Sequence, residues 1–188
     1  MSSHHIVREK QEPALIVEDL NEFNEELLGQ LLEWVPTLIT NVSSMPMLLA
    51  KGINIDILVS NTTTFPAQND IIIIPKTDSF LKTALNHLVN TGYSAVNILP
   101  KEIPFDLLYS FSGSINIVVL QQHKRIFAIK SGYRKWKPAN ESVELYGTAA
   151  GLHVVGLKRE DNNRYRTITD GFYEIRFTAP HLLIAESF

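Results

Sequence analysis

Short apolar runs alternate with helical patterns over the first hundred residues. Residues 14–17 are wholly apolar and lie between a proline and a glutamate, which is typical of a buried parallel strand. Apolar residues then recur at helical spacing over residues 23–35, which predicts a helix capped by Asn21 and ended by Pro36. Trp34 lies at the edge of this helix, and we expect it in the core.

The same alternation continues to residue 99. It predicts strands at 37–41, 55–59, 71–74 and 95–99, a short helix at 45–50 and a longer helix with a buried face over 81–89. Thr77 or Asp78 is the expected N-cap of the longer helix, and Gly92 its end. Strands that alternate with helices imply right-handed crossovers. The front half is therefore predicted to be a parallel sheet with helices on both faces, as in Rossmann-like α/β folds.

Beyond Pro100 the pattern changes to short strands separated by Gly, Asn, Asp or Pro turns. The predicted strands are 115–120, 125–130, 142–146, 152–157, 165–169, 172–177 and 182–185. Residues 172–177 place Tyr, Ile and Phe on one face and charged residues on the other, as in half-buried antiparallel strands. We therefore predict an α/β domain over residues 1–112 and an all-β, sandwich-like domain over residues 113–188.

Composition and charge narrow the classes of function. The formal net charge is −3, and no long block of one sign gives a footprint for nucleic acid or an anionic membrane. The basic stretch 130–137 is interpreted as a loop, in which Trp136 could stack on a planar ligand or contact another subunit. The chain has no cysteine, and its six histidines lack ligand spacing, so no metal site is predicted. We expect a cytoplasmic protein.

Candidate chemistry lies where the predicted parallel strands end, because open α/β sheets bind ligands outside the carboxyl ends of their strands. The residues at these ends are Glu18, Asp19, 41–44, 60–64, 75–78 and 100–106. They are rich in Ser, Thr and Asn, and the acids among them are Glu18, Asp19, Asp78, Glu102 and Asp106.

Several motifs resemble those of thiamin pyrophosphokinases. In the front half they are Gly-Ile-Asn-Ile-Asp at 52–56 and Lys-Thr-Asp at 76–78, the latter followed by Ala-Leu on a helix. In the back half they are Ser-Val-Glu-Leu at 142–145, Gly-Leu-Lys at 156–158 and Leu-Leu-Ile-Ala-Glu at 182–186. The resemblance implies transfer of pyrophosphate from ATP to thiamin with Mg²⁺, a thiamin-binding β half, and a homodimer paired through that half.

The chain departs from the family pattern where the family carries acids. The family's Asp-Gly-Gly-Ala is Asn-Val-Ser-Ser at 41–44, and its Gly-Asp-x-Asp-Ser is Ser-Asn-Thr-Thr-Thr at 60–64. Its Lys-Asp-x-Thr-Asp keeps only Thr77 and Asp78, and Asp106 alone remains of a further acidic motif that opens a helix. We therefore assign no catalytic residue. Thr77 and Asp78 are either a helix cap or a vestigial nucleotide or metal contact.

Two functions stay open at this point. One is a thiamin pyrophosphokinase-like enzyme that uses ATP and Mg²⁺. The other is a non-catalytic ligand-binding or regulatory protein that keeps the scaffold and has lost the metal site. Mg²⁺ is held mainly by carboxylates, so the missing acids make activity doubtful and favour the second function.

Overall fold

The computed structural model describes residues 12–21, 23–62, 70–121, 123–147 and 149–187. The chain divides into two compact units, one formed by residues 1–103 with 113–116 and the other by residues 104–112 with 117–188. None of the helices in the described ranges is long and apolar enough to cross a membrane.

The first unit is a parallel sheet with three helices in its described residues. Its strands are β1 (Ala14–Val17), β2 (Leu38–Asn41), β3 (Ile57–Val59), β4 (Ile72–Ile74) and β5 (Ala95–Leu99), and its helices are α1 (Glu25–Leu32), α2 (Met45–Ala50) and α3 (Phe80–Asn90). The strand order is β5-β1-β2-β3-β4, and each neighbouring pair is parallel, as the alternating pattern predicts.

Apolar burial holds this unit together. Every residue of β1 is buried, and so are the four residues at helical spacing on α3, namely Leu81, Ala84, Leu85 and Leu88. A fully buried leucine side chain stabilises a fold by about 1.5–3 kcal/mol relative to an exposed one. Burial of the apolar stripe of α3 therefore favours packing of the helix against the sheet.

Both predicted helix caps were wrong by a few residues. Asn24, not Asn21, caps α1, and its Oδ1 accepts a hydrogen bond from the Leu27 N–H at 2.9 Å. Ser79, not Thr77 or Asp78, caps α3, and its Oγ accepts from the Lys82 N–H at 3.3 Å. An N-cap side chain satisfies an N–H two or three residues further on, and Asn24 and Ser79 have that geometry at the starts of α1 and α3.

The end of α1 also corrects the expectation for Trp34, whose side chain is 69% exposed rather than in the core. The helix ends at Leu32, so Trp34 no longer follows its apolar face. Val35 comes next with a backbone φ of 47°. This left-handed conformation is uncommon for a β-branched residue and costs about 1–2 kcal/mol.

In its described residues, the second unit contains one short helix and otherwise strands. Its elements are α4 (Phe105–Phe111), β6 (Asn116–Gln121), β7 (Lys124–Ile129), β8 (Tyr133–Lys137), β9 (Ser142–Tyr146), β10 (His153–Val155), β11 (Leu157–Arg159), β12 (Arg164–Thr167), β13 (Gly171–Arg176) and β14 (Leu182–Ser187). The described residues beyond 112 form no helix, as predicted.

Two antiparallel sheets share one core in this unit. The larger has the order β11-β12-β9-β14-β7-β6, and the smaller has the order β10-β13-β8. The core joins Val143, Leu145 and Ile184 of the larger sheet to Tyr173 and Ile175 of the smaller. The predicted alternation over 172–177 is thus observed, with Tyr173, Ile175 and Phe177 inward.

The basic stretch 130–137 is not a loop, which corrects its interpretation. Most of it is strand β8, which pairs with β13 over five residues. Tyr133, Lys135 and Lys137 share the inward face, while Arg134 and Trp136 face outward. The alternation of a buried strand was hidden in the sequence because two of its inward residues are lysines.

Candidate functional site

The carboxyl ends of β1 and β5 meet at the switch point of the first unit's sheet, where β1 has β5 on one side and β2 on the other. The main-chain N–H groups of Glu18 and Asp19 donate to the Leu99 carbonyl at 2.9 and 3.3 Å. The Glu18 carboxylate accepts from the Lys101 N–H at 3.1 Å. Ligands of open α/β sheets bind in this position, so these contacts define the floor of the candidate site.

Neutral side chains connect β1 to β2 at the same edge. The Glu18 carbonyl accepts hydrogen bonds from Asn41 Nδ2 at 3.1 Å and from Ser44 Oγ at 2.5 Å. Asn41 Oδ1 in turn accepts from the Ser44 N–H at 2.9 Å. The polar side chains of residues 41–44 that have described partners therefore bind this chain's own main chain.

A similar arrangement follows β3 and β4. Ser60 Oγ donates to the Thr62 carbonyl at 3.1 Å and accepts from the Thr62 N–H at 2.9 Å. Asn61 Oδ1 accepts from the Lys76 N–H at 2.9 Å. Residues 63 and 64 of the same candidate turn lie outside the described residues. The described part of this turn is stabilised by neutral groups alone.

The acids of this edge have local partners. Asp78 Oδ1 accepts from the Ser79 N–H at 2.7 Å, and its Oδ2 pairs with the Lys82 ammonium at 2.6 Å. The Lys82 hydrogen bond, followed by that of Ser79, holds the pKa of the exposed Asp78 carboxyl below its usual range. Asp19 binds Asn21 through both carboxylate oxygens, at 2.9 and 3.2 Å.

The remaining candidate residues do not add a metal-binding group. Thr77 is exposed before α3, and Glu102 is exposed after β5. Asp106 lies in the first turn of α4 and belongs to the second unit. Across the described ranges, no three His, Asp or Glu side chains form a group that could hold a metal ion. The nucleotide contact predicted for Thr77 and Asp78 stays a prediction.

The donor chemistry of the edge does not fit Mg²⁺. This ion prefers carboxylates together with phosphate oxygens and water. Here Glu18 and Asp19 accept hydrogen bonds from N–H groups, and Asp78 pairs with Lys82. The neutral polar side chains Asn41, Ser44 and Asn61 bind the chain's own main chain.

No protein-family model and no curated protein matches the sequence. The structure, in contrast, is similar to solved thiamin pyrophosphokinases. The enzyme from Bacillus subtilis matches with a TM-score of 0.68 and 16% identity, over 94% of this chain and 99% of that chain. The enzyme from Geobacillus thermodenitrificans matches with a TM-score of 0.66 and 14% identity, over 94% of this chain and 98% of that chain.

A third solved thiamin pyrophosphokinase has a similar fold. Thiamin pyrophosphokinase from Candida albicans matches with a TM-score of 0.65 and 11% identity, over 94% of this chain and 90% of that chain. The molecule is therefore a mixed α/β protein with few helices and many strands. Its fold is that of the thiamin pyrophosphokinases, which confirms the resemblance drawn from its motifs.

Proposed function

We propose that this chain is a thiamin pyrophosphokinase-like protein that binds a small molecule without transferring pyrophosphate at an enzyme's rate. The observation that carries the proposal is the engagement of the edge carboxylates. Glu18, Asp19 and Asp78 each accept hydrogen bonds from nearby N–H groups, and Asp78 also pairs with Lys82. We also infer that the first unit is Rossmann-like, with its ligand crevice at the β1–β5 switch point.

Electrostatics explains why such an edge is a poor catalyst. In phosphoryl and pyrophosphoryl transfer the protein acts mainly by positioning the reactants and by stabilising charge, with metal ions bridging the phosphates. If each missing metal contact removes about 3 kcal/mol of transition-state stabilisation, three of them slow turnover roughly a million-fold. The exposed polar residues of these turns, Ser43, Asn61 and Thr62, can still bind a nucleotide or thiamin.

We expect turnover of thiamin with ATP and Mg²⁺ to be about 10⁻⁵ per second, a million-fold below a median enzyme rate of roughly 10 per second. Thiamin diphosphate measured by chromatography after long incubation tests this. A rate near one per second contradicts the proposal. In that case Glu18 and Asp19 hold the metal, and Glu18→Gln is expected to abolish the activity.

We expect the binding of ATP or thiamin to be independent of Mg²⁺, because the edge carboxylates Glu18, Asp19 and Asp78 already have partners within the chain. Calorimetry with Mg²⁺ and with EDTA should give dissociation constants that agree within about a factor of two. This corresponds to a difference in binding free energy below about 0.5 kcal/mol. A tenfold gain in ATP affinity from Mg²⁺ contradicts the proposal, and so does the absence of binding by either ligand.

A variant with added carboxylates tests whether the turn after β3 can hold a metal ion. Asn61→Asp with Thr62→Asp places two carboxylates in the exposed turn after β3 and retains the acceptor for the Lys76 N–H. Asn162→Asp with Asn163→Asp adds equal charge to an exposed turn of the second unit. Mn²⁺ should bind the first variant more tightly than the second. Equal Mn²⁺ affinity would show that this turn does not lie at a latent metal site.

We further propose that the chain forms a homodimer through its β half. The outer face of the smaller sheet carries Trp136 and Phe172, which are paired across β8 and β13 and are 52% and 56% exposed. Exposed aromatic clusters of this kind mark interaction surfaces. Sedimentation at tens of micromolar should give twice the 21.2 kDa chain mass, and Trp136→Ser should shift it toward the monomer. A wild-type mass of 21.2 kDa contradicts the dimer.

A further inference from the structure

A groove of about 390 Å³ lies in the first unit, away from the carboxyl edge. It is lined by Glu12, Pro13, Leu27, Gln30, Leu31, Trp34, Pro36 and Asn97. Pro13 and Pro36 precede β1 and β2, so the groove begins at the amino ends of these parallel strands. Its volume falls within the range of small-molecule sites, which is roughly 300–1,000 Å³. The groove is therefore separate from the site proposed above.

Trp34 forms the aromatic wall of the groove, although it is largely exposed. It lies between the end of α1 and Val35, whose backbone is strained. Strained backbone is retained where the surrounding structure imposes it, and such residues cluster at ligand sites. Here the left-handed turn at Val35 directs the chain from Trp34 to Pro36, and both flanking residues line the groove.

The polar groups of the groove define the chemistry of its ligand. Asn97 lies opposite Leu15 in the register of β5 and β1, on an otherwise apolar part of the sheet. Within the described part of the chain, the side-chain amide of Asn97 forms no hydrogen bond. An amide beside apolar walls favours a ligand with a complementary donor and acceptor. An aliphatic occupant would leave that amide unpaired.

The charge of the groove disfavours anions. Among the described residues that line it, only Glu12 is charged. A carboxylate repels a negative ligand, and the face of an indole ring attracts positive charge. We propose that this groove binds a planar nitrogen heterocycle that carries an amide edge and no negative charge. The ring stacks on Trp34, the amide edge pairs with Asn97, and Glu12 favours a positive ring.

Three probes with one ring skeleton test the charge rule: 1-methylnicotinamide, nicotinamide and nicotinate, which are cationic, neutral and anionic. By ligand-observed NMR we expect the two amides to bind with dissociation constants of about 1 mM, as suits fragments of this size. Nicotinate should bind at least tenfold more weakly. Glu12→Gln should narrow the difference between the cation and the neutral amide. Equal binding of the three probes, or no binding at 10 mM, overturns the proposal.

Substitutions at Trp34, Trp136 and Asn97 test whether the probes bind in this groove. Trp34→Ala should weaken nicotinamide binding at least tenfold, whereas Trp136→Ala, which removes an exposed tryptophan of the second unit, should not change it. Asn97→Leu should weaken the amides but leave nicotinate unchanged, and circular dichroism checks that each variant folds. Equal effects of the two tryptophan variants overturn the proposal. The variants at Asn61 and Thr62 leave this groove intact. The experiments can therefore refute one proposed site while they support the other.

Discussion

Replacement of Glu186 by glutamine is expected to lower the free energy of unfolding by about 3 kcal/mol, the lower end of the cost of breaking a buried ion pair. The Glu186 side chain is 0% exposed and accepts hydrogen bonds from Arg125 Nη2 at 2.9 Å, from the Lys135 ammonium and from the Tyr173 hydroxyl. Glutamine leaves both cations without their counter-ion. Arg125 and Lys135 are 37% and 30% exposed, so water screens part of the loss. Urea unfolding measures the difference.

A matched control separates burial from charge. Glu174 lies on the outer face of the smaller sheet and pairs with Arg176 at 2.6 Å. Glu174→Gln therefore removes an ion pair from the same unit without leaving a buried cation, and unfolding should be unchanged within error. Equal destabilisation by the two variants would show that Glu186 acts only as a surface charge.

The same residue predicts a dependence of stability on pH. Burial, the largest influence, raises the pKa of Glu186, but the hydrogen bonds from Lys135 and Tyr173 and the charges of Lys135 and Lys137 lower it overall. A carboxyl with a lowered pKa in the folded state stabilises the protein above its unfolded pKa of about 4.3. This contribution is lost as the pH falls through the folded pKa. The unfolding free energies of wild type and Glu186→Gln should therefore converge below about pH 4.3.

Replacement of Gly156 by alanine is expected to destabilise the second unit by about 3 kcal/mol. Gly156 has a φ of 73°, where an L-residue costs about 1–2 kcal/mol. A Cβ there would also lie 2.9 Å from the Phe172 carbonyl oxygen and 3.2 Å from Tyr173 Cα. Relieving that contact moves main chain and adds about 1–3 kcal/mol. The melting temperature should fall by about 6–12 °C.

Two other glycines separate strain from crowding. Gly132 has a φ of 86° with open space at its Cβ position, and Gly113 has open space without a left-handed φ. Gly132→Ala should therefore cost only the strain, about 1–2 kcal/mol. Gly113→Ala should cost almost nothing. If Gly156→Ala is no worse than Gly132→Ala, the contact with Phe172 is not limiting.

Gly156 also shows where the sequence pattern was insufficient. Residues 152–157 were predicted to form one strand, but the chain turns at Gly156, so β10 pairs in the smaller sheet and β11 in the larger. Apolar alternation continues through the turn and does not reveal it. The strands and helices of the first unit were more predictable because each apolar run is bounded by Pro, Gly or a capping residue.

The candidate site was predictable in position but not in detail. Because the strands are parallel, their carboxyl ends could be located from the sequence. The partners of the edge acids could not, since they depend on contacts such as Glu18 with Lys101, which lie 83 residues apart. Asp56 gave a clearer signal. It directly precedes an apolar strand, and its carboxylate accepts a hydrogen bond from the Leu38 N–H at 2.7 Å.

The inward lysines of β8 have a consequence for strand register. A slip of one residue along β13 would turn Arg134 and Trp136 inward and expose Lys135 and Lys137. The two lysines have long aliphatic stems with a polar end, so burial of these side chains alone distinguishes the two alignments poorly. The slip would also separate Lys135 from Glu186, its ion-pair partner in the observed pairing. It would remove Tyr133 from its ring contacts with Phe127 and Tyr173. Charge therefore acts together with aromatic packing in selecting the alignment of this strand.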